Sequence, residues 1–370
     1  MIPWWNTELG ESEIARATDA LSKRCVSQGR LTAKFEEALA ERLKVPHVIC
    51  TSSGTTALTM AFLATGVGPG AEVIVPNRTW IATANAALLL GAVIRVVDSR
   101  PGSMLIDESL IEAAITPATK AIAPVSLNGA SVDNAHINEI AERHGLTVVE
   151  DACQALFSAH GGTYQGTRSR FGCFSLGMTK LITTGAGGFI VCHDSGDADL
   201  LRSLRYQGNP GAGMETPWEH FSGGFKYTDI QAAIGLAQLE RVEERQQHMR
   251  AIHQLYEEGL QDTPFLKLFP INADAGEVPN KALTFCSEPS AFRTEMEAAG
   301  VQTLEQAPNV ADYPFIDANP DDYPRSRPYA VHNVVLPCGP DQPLENIEKA
   351  IEAVRSIAGK FKPLEQSFKI

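Results

Sequence analysis

Short apolar runs alternate with amphipathic stretches through the first half of the chain, and this alternation restricts the possible fold more than any other feature. The apolar runs are rich in Val and Ile and are predicted to be strands: His47–Cys50, Glu72–Val75, Val93–Val97, Ala121–Val125 and Thr147–Glu150. Helical patterns lie between them at Thr55–Ala64, Thr79–Leu90 and Asn134–His144. This arrangement is typical of a mostly parallel sheet flanked by helices. The sequence therefore predicts an α/β fold whose ligands bind beyond the carboxyl ends of the strands.

The pattern changes after about residue 260, where proline becomes frequent and the apolar segments become irregular. We therefore predict a large domain over residues 1–245 and a smaller C-terminal α+β domain over residues 246–370. Further helices are predicted at Glu11–Gln28 and Thr32–Leu43, and further strands at Phe171–Leu176 and Phe189–Cys192. A long helical region, Thr228–Glu258, extends across the predicted domain boundary. The smaller domain is predicted to contain strands at Ala282–Cys286 and Asn333–Leu336 and helices at Ser290–Ala299 and Leu344–Ile357.

The composition excludes several classes of partner. A formal net charge of −13 argues against binding to nucleic acid or to an anionic membrane, since both favour a basic surface. The seven cysteines are odd in number and form no CxxC pair, so a reducing cytoplasm is the expected location. No secretory signal and no membrane-spanning stretch are recognised, and the nine histidines lack metal-ligand spacing, so no metal site is predicted.

A loop rich in Ser and Thr, Thr51–Thr56, lies between a predicted strand and a predicted helix. Backbone N–H groups and hydroxyls at such a junction converge on one point, and the helix dipole adds positive charge, so the loop suits a phosphate. Ser and Thr are also the preferred N-cap residues of helices. On this motif alone, a phosphate site and a plain helix cap both remain open.

Two acids lie at the end of the predicted strand Thr147–Glu150: Glu150 is its last residue, and Asp151 follows directly. A carboxylate at this end of a strand lies where cofactors bind in α/β folds, and a protonated pyridine nitrogen is one partner that would compensate its burial. A carboxylate that simply caps the following segment is the alternative interpretation.

A single lysine, Lys180, lies between the small and apolar segments FGCFSLG and LITTGAGGF. A desolvated lysine has a lowered pKa and becomes nucleophilic towards an aldehyde, although a lone lysine in a turn is more often a surface residue. Trp80 follows another strand end, where it either stacks on a flat ring or packs at a helix start. Together, a phosphate loop, an aromatic ring, a carboxylate and an amine at successive strand ends favour pyridoxal 5′-phosphate (PLP) as the cofactor.

The same stretches resemble the DegT/DnrJ/EryC1/StrS aminotransferases, a family with the type I PLP fold of aspartate aminotransferase. The resemblance runs from about Ile2 to Gln246 and resumes at Leu336–Pro340, with these matching motifs: SSGTTAL, EVIVP, TWIATANA, GAVIRVVD, VVEDACQA, CFSLGMTK, ITTGAGG and TDIQAAIGLAQLER. It implies that Lys180 holds PLP as a Schiff base, that Asp151 pairs with the ring nitrogen and that Gln154 binds the ring hydroxyl. It further implies that Trp80 stacks on the ring and that the phosphate is held by Gly54, Thr55, Thr56 and Ser175.

Three segments depart from the family pattern. Gly224 stands where many members have an asparagine that reaches the phosphate of the partner subunit. Lys226 is the predicted substitute, and the alternative is that this contact is missing. Ala186 replaces the acid of the common GEGG motif, and the stretch from Gln302 to Arg327 matches the substrate-side segment poorly. The last departure bears on the substrate rather than on the cofactor.

The resemblance implies a homodimer with active sites at its interface, which transfers an amino group from an amino acid, glutamate in particular, to a keto sugar. The expected acceptor is an NDP-keto-deoxyhexose, in amino-sugar biosynthesis. An aminotransferase acting on a keto-cyclitol or another nucleotide-free ketone is the alternative, and an inactive regulatory or partner homologue is a further one. A PLP sugar dehydratase is disfavoured, because Lys180 stands where those enzymes have histidine.

Overall fold

The first half of the chain folds into alternating strands and helices, as the apolar pattern predicts. The structure is a computed structural model, and it describes residues 1–209, 218 and 220–364. The strands are β1 (His47–Thr51), β2 (Glu72–Pro76), β3 (Val93–Val97), β4 (Thr119–Ile122), β5 (Thr147–Asp151), β6 (Ala159–His160), β7 (Thr163–Tyr164), β8 (Phe171–Ser175), β9 (Gly188–Cys192), β10 (Leu266–Leu268), β11 (Ala282–Cys286) and β12 (Asn333–Leu336). The helices are α1 (Glu11–Ser22), α2 (Arg30–Leu43), α3 (Gly54–Ala64), α4 (Ala82–Leu88), α5 (Ile111–Ala114), α6 (Asn134–His144), α7 (Ser195–Arg205), α8 (Asp229–Glu240), α9 (Val242–Gly259), α10 (Pro289–Ala298), α11 (Arg327–Val331) and α12 (Leu344–Ile357).

A seven-stranded sheet organises the larger part of the molecule, in the order β1-β9-β8-β5-β4-β2-β3. The pairs β3-β2, β2-β4, β4-β5 and β5-β8 are parallel, whereas β9 runs antiparallel to both of its neighbours. In β2, Val73 and Val75 pack into the apolar cluster on one face, and Ile74 packs into the cluster on the other. Burial on both faces explains why the strands read as continuous apolar runs, and it confirms the predicted mostly parallel α/β sheet.

A second, three-stranded antiparallel sheet, β10-β11-β12, lies in the C-terminal part with α10 and α12 packed nearby. This confirms the expected smaller α+β unit. The N-terminal segment pairs with this part of the chain, since Ile2 and Trp5 form bridges to Val301 and Cys338. The boundary between residues 245 and 246 stays a prediction, and residues 365–370 of the predicted second domain lie outside the described residues. No helix among the described residues is long and apolar enough to cross a bilayer.

The first predicted helix is wrong in its extent, whereas the predicted long helical region is present as two consecutive helices. The first ends at Ser22, and Arg24 then adopts a left-handed conformation, so it does not continue to Gln28. The predicted long helical region divides at Arg241 into α8, which is buried on most of its surface, and the amphipathic α9. Arg241 Nη2 lies 3.2 Å from Asp341 Oδ1, so the two helices divide at a residue that forms an ion pair with the C-terminal part of the chain.

The two acids at the end of β5 point in opposite directions, because side chains alternate along a strand. Glu150 is almost fully buried and accepts hydrogen bonds from the backbone N–H groups of Gly166 (2.8 Å), Arg168 (2.8 Å) and Ser169 (2.7 Å). Burial raises the pKa of its carboxyl group, although these N–H donors act in the opposite direction. Glu150 therefore fastens the loop that leads into β8, and only Asp151 remains for the mouth of the sheet.

We expect Glu150→Gln to lower the free energy of unfolding by about 2 kcal/mol, since an amide NH₂ would face a backbone N–H that now donates to a carboxylate oxygen. Urea unfolding followed by circular dichroism measures this loss. Glu142→Gln, at an exposed position on α6, is the matched control and should change stability by less than about 0.5 kcal/mol. Equal stabilities of the two variants would contradict the anchoring role of Glu150.

Candidate active site

The carboxyl ends of parallel strands meet at one edge of a sheet, and the predicted site residues converge there. A cavity of about 290 Å³ opens beyond β1, β2, β4, β5 and β8. Its lining consists mainly of residues from the loops that follow these strands: Ser53, Gly54, Thr55, Leu58, Thr79, Trp80, Ala82, Val125, Asp151, Cys153, Gln154, Ser175, Thr179, Lys180 and Lys281. Seven of the nine residues predicted to bind the cofactor lie in this lining, and Thr56 and Lys226 do not.

The N-terminus of α3 faces the cavity through Gly54 and Thr55. Ser53 is the N-cap, and its hydroxyl accepts from the Thr56 N–H at 3.1 Å while the Thr56 hydroxyl accepts from the Ser53 N–H at 2.9 Å. Thr56 therefore completes the cap, as the plain interpretation of the motif expected. The N–H groups of the first helical turn have no acceptor within the helix, so this end of α3 can bind an anion.

Close backbone contacts hold this turn against the neighbouring loops. A Cβ atom at Gly54 would lie 2.8 Å from Cys153 Sγ and 2.9 Å from Ser175 Cβ. A Cβ atom at Gly188 of β9 would lie 2.5 Å from the carbonyl group of Ser53. Since glycine alone fits at both positions, the turn after β1, the loop after β5 and the end of β8 form one compact cradle.

Asp151 is buried at the end of β5, and it is held by two hydrogen bonds. Its Oδ2 accepts from the Thr83 hydroxyl at 2.7 Å, and its Oδ1 accepts from the Cys153 N–H at 3.1 Å. Both donors are neutral, so neither of them forms an ion pair with the carboxylate, which lines the cavity. The structure thus brings Asp151 to the predicted place at the mouth of the sheet.

Lys180 lies in the turn after β8, and it shares the cavity with Asp151. Burial lowers the pKa of its amine, and the charges of Cys153 and Asp151 oppose that shift. The indole N–H of Trp5 donates to the carbonyl oxygen of Met178 at 3.0 Å, which ties the turn to the N-terminal segment. A lysine in this setting is neutral more often than a lysine in solvent, and a neutral amine can attack a carbonyl carbon.

Three further predicted residues also line the cavity. Trp80 is 58% exposed, so one of its faces is available to a ligand. Gln154 accepts from the Asn128 N–H at 3.0 Å through Oε1, so its NH₂ group is the end that can donate to a ligand. The Ser175 hydroxyl accepts from the Gly177 N–H at 3.3 Å and lies beside Gly54.

Lys226 lies outside this cavity within the single chain. Its Nζ is 4.1 Å from the centre of the Tyr206 ring, and Gly224, two residues earlier, forms an antiparallel β-bridge to Tyr206. A role for Lys226 at the cofactor phosphate therefore stays a prediction that requires a second copy of the chain.

Two cations near the site were not predicted. Lys281, immediately before β11, lines the cavity of Lys180 and also a smaller adjoining cavity, which Arg78 lines as well. The only sequence signal for Lys281 is that it directly precedes the apolar strand ALTFC. Arg78 lies in the PNRTW segment, in which only Trp80 was predicted to contact a ligand. Among the described residues, no group of three or more His, Cys, Asp or Glu side chains is arranged to hold a metal ion.

Comparisons with known proteins place this arrangement among aminotransferases. Residues 7–355 match the model of the DegT/DnrJ/EryC1/StrS aminotransferase family. A GDP-perosamine synthase from Caulobacter vibrioides is 43% identical over 235 residues, which is 63% of each chain, so the match spans just under two thirds of that relative.

Solved structures agree with this assignment. The PLP-form of Spr1654 from Streptococcus pneumoniae has a TM-score of 0.91 at 23% identity, covering 97% of this chain and 99% of its own. DesV from S. venezuelae, solved with a ketimine intermediate, has a TM-score of 0.88 at 29% identity, covering 95% of both chains. These similarities confirm the type I fold, and the family match covers nearly the whole sequence. The chain therefore belongs to the DegT/DnrJ/EryC1/StrS aminotransferase family.

Proposed function

We propose that this protein is a PLP-dependent aminotransferase that moves an amino group from an amino acid to a keto sugar. The observation that carries the proposal is one cavity in which an amine, Lys180, and a buried carboxylate, Asp151, lie beside the N-terminus of α3. An amine, an anion opposite it and an anion-binding helix end are the three groups that a phosphorylated pyridine aldehyde requires.

The residues of the cavity fit this cofactor. The glycine cradle at Gly54 and Gly188 leaves room for a phosphate at the first turn of α3, where Thr55 and Ser175 add hydroxyl groups. Trp80 would cover the ring, and the NH₂ group of Gln154 would bind the ring hydroxyl. The N–H of Thr56 already donates to the Ser53 hydroxyl and the Thr56 hydroxyl completes the cap, so a contact between Thr56 and the phosphate stays a prediction.

When bound, PLP supplies an electron sink that stabilises negative charge on the carbon atom next to the transferred nitrogen. The Asp151 carboxylate would pair with the protonated ring nitrogen, and the Thr83 hydroxyl and the Cys153 N–H fix the orientation of this carboxylate. Lys180 would hold the cofactor covalently through Nζ, and its free amine would carry a proton between two carbon atoms as general base and general acid. Burial favours the neutral, proton-accepting form of that amine.

The acceptor we propose is an NDP-keto-deoxyhexose in amino-sugar biosynthesis, and the donor is glutamate. The 43% identity to a GDP-perosamine synthase supports a nucleotide-linked sugar, although the match covers 63% of each chain. The poorly matching stretch from Gln302 to Arg327 contributes Leu304, Glu305, Gln306 and Ala307 to the adjoining cavity, so the choice of substrate depends on residues in which this chain departs from its family.

We also propose a cytoplasmic homodimer with active sites at its interface. All seven cysteines are free thiols, as a reducing compartment favours. Large apolar side chains are exposed, including Phe221 at 95% and Trp218 at 53%, and such exposure is typical of a surface that a partner covers. Lys226 and Tyr206 lie near this segment, so a dimer would give Lys226 a route to the phosphate site of the other subunit.

An acceptor panel tests the substrate proposal. The cofactor-loaded protein is converted to its amine form with glutamate and then mixed with nucleotide-linked keto sugars, free keto sugars or keto-cyclitols. We expect only nucleotide-linked keto sugars to restore the absorbance of the aldehyde form. Restoration by nucleotide-free cyclitols alone would replace the sugar-nucleotide proposal with the cyclitol alternative, and an inert protein would favour the regulatory homologue.

Borohydride reduction of the loaded protein followed by peptide mapping should label Lys180 and no other lysine. Lys180→Ala should abolish the label and lower the transamination rate by at least about 100-fold, because both the covalent attachment and the proton transfer are lost. Lys120→Ala, at an exposed position, is the matched control and should keep label and rate. A label at any other lysine would contradict the assignment.

Asp151→Asn should leave the free energy of unfolding within about 1 kcal/mol of the parent, because an amide can still pair with the Thr83 hydroxyl. The rate should nevertheless fall by about 100-fold or more, since no charge would then keep the ring nitrogen protonated. Stopped-flow absorbance of the glutamate half-reaction measures the rate, and urea unfolding measures the stability. Asp274→Asn, on an exposed turn, is the control. An unchanged half-reaction in Asp151→Asn would remove Asp151 from the mechanism.

A further inference from the structure

Thr79 lies where two cavities meet. A second cavity of about 180 Å³ adjoins the cavity of Lys180, and the two share four lining residues: Thr79, Trp80, Gln154 and Lys281. Thr79 belongs to the loop after β2 and is only 4% exposed. A ligand that extends from one cavity into the other therefore passes this side chain, and the hydrogen bonds of Thr79 decide which ligand groups it can bind.

Thr79 and Thr83 form a chain of hydroxyl groups that ends at Asp151. Thr79 Oγ1 lies 3.0 Å from Thr83 Oγ1, and the Thr83 hydroxyl lies 2.7 Å from Asp151 Oδ2 and 3.2 Å from the carbonyl oxygen of Trp80. A carboxylate and a carbonyl oxygen accept hydrogen bonds and do not donate them, so the one hydroxyl hydrogen of Thr83 points towards these two groups. Thr83 can therefore only accept from Thr79, and Thr79 donates its own hydroxyl hydrogen to Thr83.

This direction leaves Thr79 Oγ1 as an acceptor. A hydroxyl group has one hydrogen and two lone pairs, and the hydrogen of Thr79 is already used. Among the described residues, Thr83 is the one side chain that forms a hydrogen bond with the Thr79 hydroxyl. Because buried polar atoms are usually satisfied, a ligand that passes Thr79 is favoured when it brings a hydrogen-bond donor.

Two other acceptor side chains in the lining of the second cavity already have partners. Glu305 Oε2 lies 3.1 Å from Arg293 Nη1, and Gln306 Oε1 accepts from Arg78 Nη2 at 3.2 Å. The Glu305 side chain is also half exposed, so solvent reaches it. Thr79 Oγ1 is thus a buried acceptor of this lining to which neither of these groups is equivalent.

The charges around the two cavities decide which kind of donor is favoured. Arg78 and Lys281 line the second cavity, and Lys180 lines the first together with Lys281. Basic side chains oppose the approach of an ammonium group, whereas they do not repel a neutral hydroxyl group. A keto sugar carries hydroxyl groups close to its carbonyl carbon, and an amino acid such as glutamate carries none.

We propose that Thr79 is a specificity-determining residue that accepts a hydrogen bond from a hydroxyl group of the keto substrate. The inference rests on the proposed function and adds the side chain that recognises the substrate ring. A substrate whose carbonyl carbon lies near Lys180 places a ring hydroxyl at Thr79, because Thr79 lines both cavities. That hydroxyl extends the chain of donors through Thr83 to Asp151, and each bond in such a chain strengthens the next.

Binding to a form of the protein that cannot turn over tests this role. Borohydride reduction fixes the cofactor to Lys180, and the keto substrate that the acceptor panel selects is then titrated into the reduced protein calorimetrically. Thr79→Val keeps the shape of the side chain but removes its hydroxyl, so the dissociation constant should rise about tenfold. Thr79→Ser keeps the hydroxyl and should bind within about threefold of the parent. Thr294→Val, at an exposed position on α10, is the matched control.

Substrate analogues in which fluorine replaces one hydroxyl group at a time test the direction of the hydrogen bond. Fluorine is close to a hydroxyl group in size but cannot donate. One analogue of the series should therefore bind the parent and Thr79→Val with affinities within about twofold of each other, because the bond is already lost. A tenfold difference that persists in every analogue would overturn the proposal, and so would equal affinity of the parent and Thr79→Val for the unmodified substrate.

Kinetics separate recognition of the substrate from support of Asp151. In Thr79→Val, kcat/KM for the keto substrate should fall about tenfold, while the glutamate half-reaction should stay within about threefold of the parent, since Thr83 still donates to Asp151. Equal losses in both half-reactions would make Thr79 a support of Asp151 and overturn the proposal. Failure of the proposed function gives a different result, because no keto substrate of the acceptor panel would then react, and the role of Thr79 would fall with it.

Discussion

The shared direction of β1, β2, β4, β5 and β8 is the constraint on which the rest of the molecule depends. A sheet that is buried on both faces has no place for polar side chains except at the ends of its strands. Because the parallel strands end at the same edge, residues far apart in sequence become neighbours there. One cavity is therefore lined by residues at or just after the ends of four different strands: Gly54, Trp80, Asp151 and Lys180. The antiparallel β9 takes part indirectly, since its Gly188 lets the turn after β1 lie against the sheet.

The end of β5 shows how one local rule separates a structural from a functional carboxylate. Glu150 and Asp151 are adjacent and both buried, but alternation along the strand sends them to different surroundings. Glu150 accepts three backbone N–H groups and is satisfied by the protein itself. Asp151 accepts hydrogen bonds from two neutral donors and lines the same cavity as Lys180. Neither hydrogen bond neutralises the carboxylate, which is therefore available to a cationic group of a ligand. A buried acid whose charge the fold does not fully compensate is the kind that serves chemistry.

Sequence patterns were sufficient for the parts of the fold and site that depend on local chemistry. The apolar runs located the strands of the large sheet, and polar residues at their ends located most of the cavity. The direction of β9 was not predictable, because a fully buried strand reads the same whichever way it runs. The hydrogen bonds between Ser53 and Thr56 show that Thr56 belongs to the helix cap, and its contact with a phosphate stays a prediction. Arg78 and Lys281 were missed because their proximity arises from packing between β2 and the C-terminal part, about 200 residues later.

The distribution of charge around the two cavities gives the site a direction. On one side, the helix end at Gly54 and Thr55 favours an anion and the carboxylate of Asp151 favours a cation, so a ligand that carries both charges would have one preferred orientation. On the other side, two basic side chains, Arg78 and Lys281, line the adjoining cavity. Burial lowers the pKa of Lys180 against the opposing charge of Asp151, and burial together with the charge of Lys180 lowers the pKa of Lys281. The charged groups of the site are therefore in place before any ligand binds, and this electrostatic preorganisation is what an amino transfer requires.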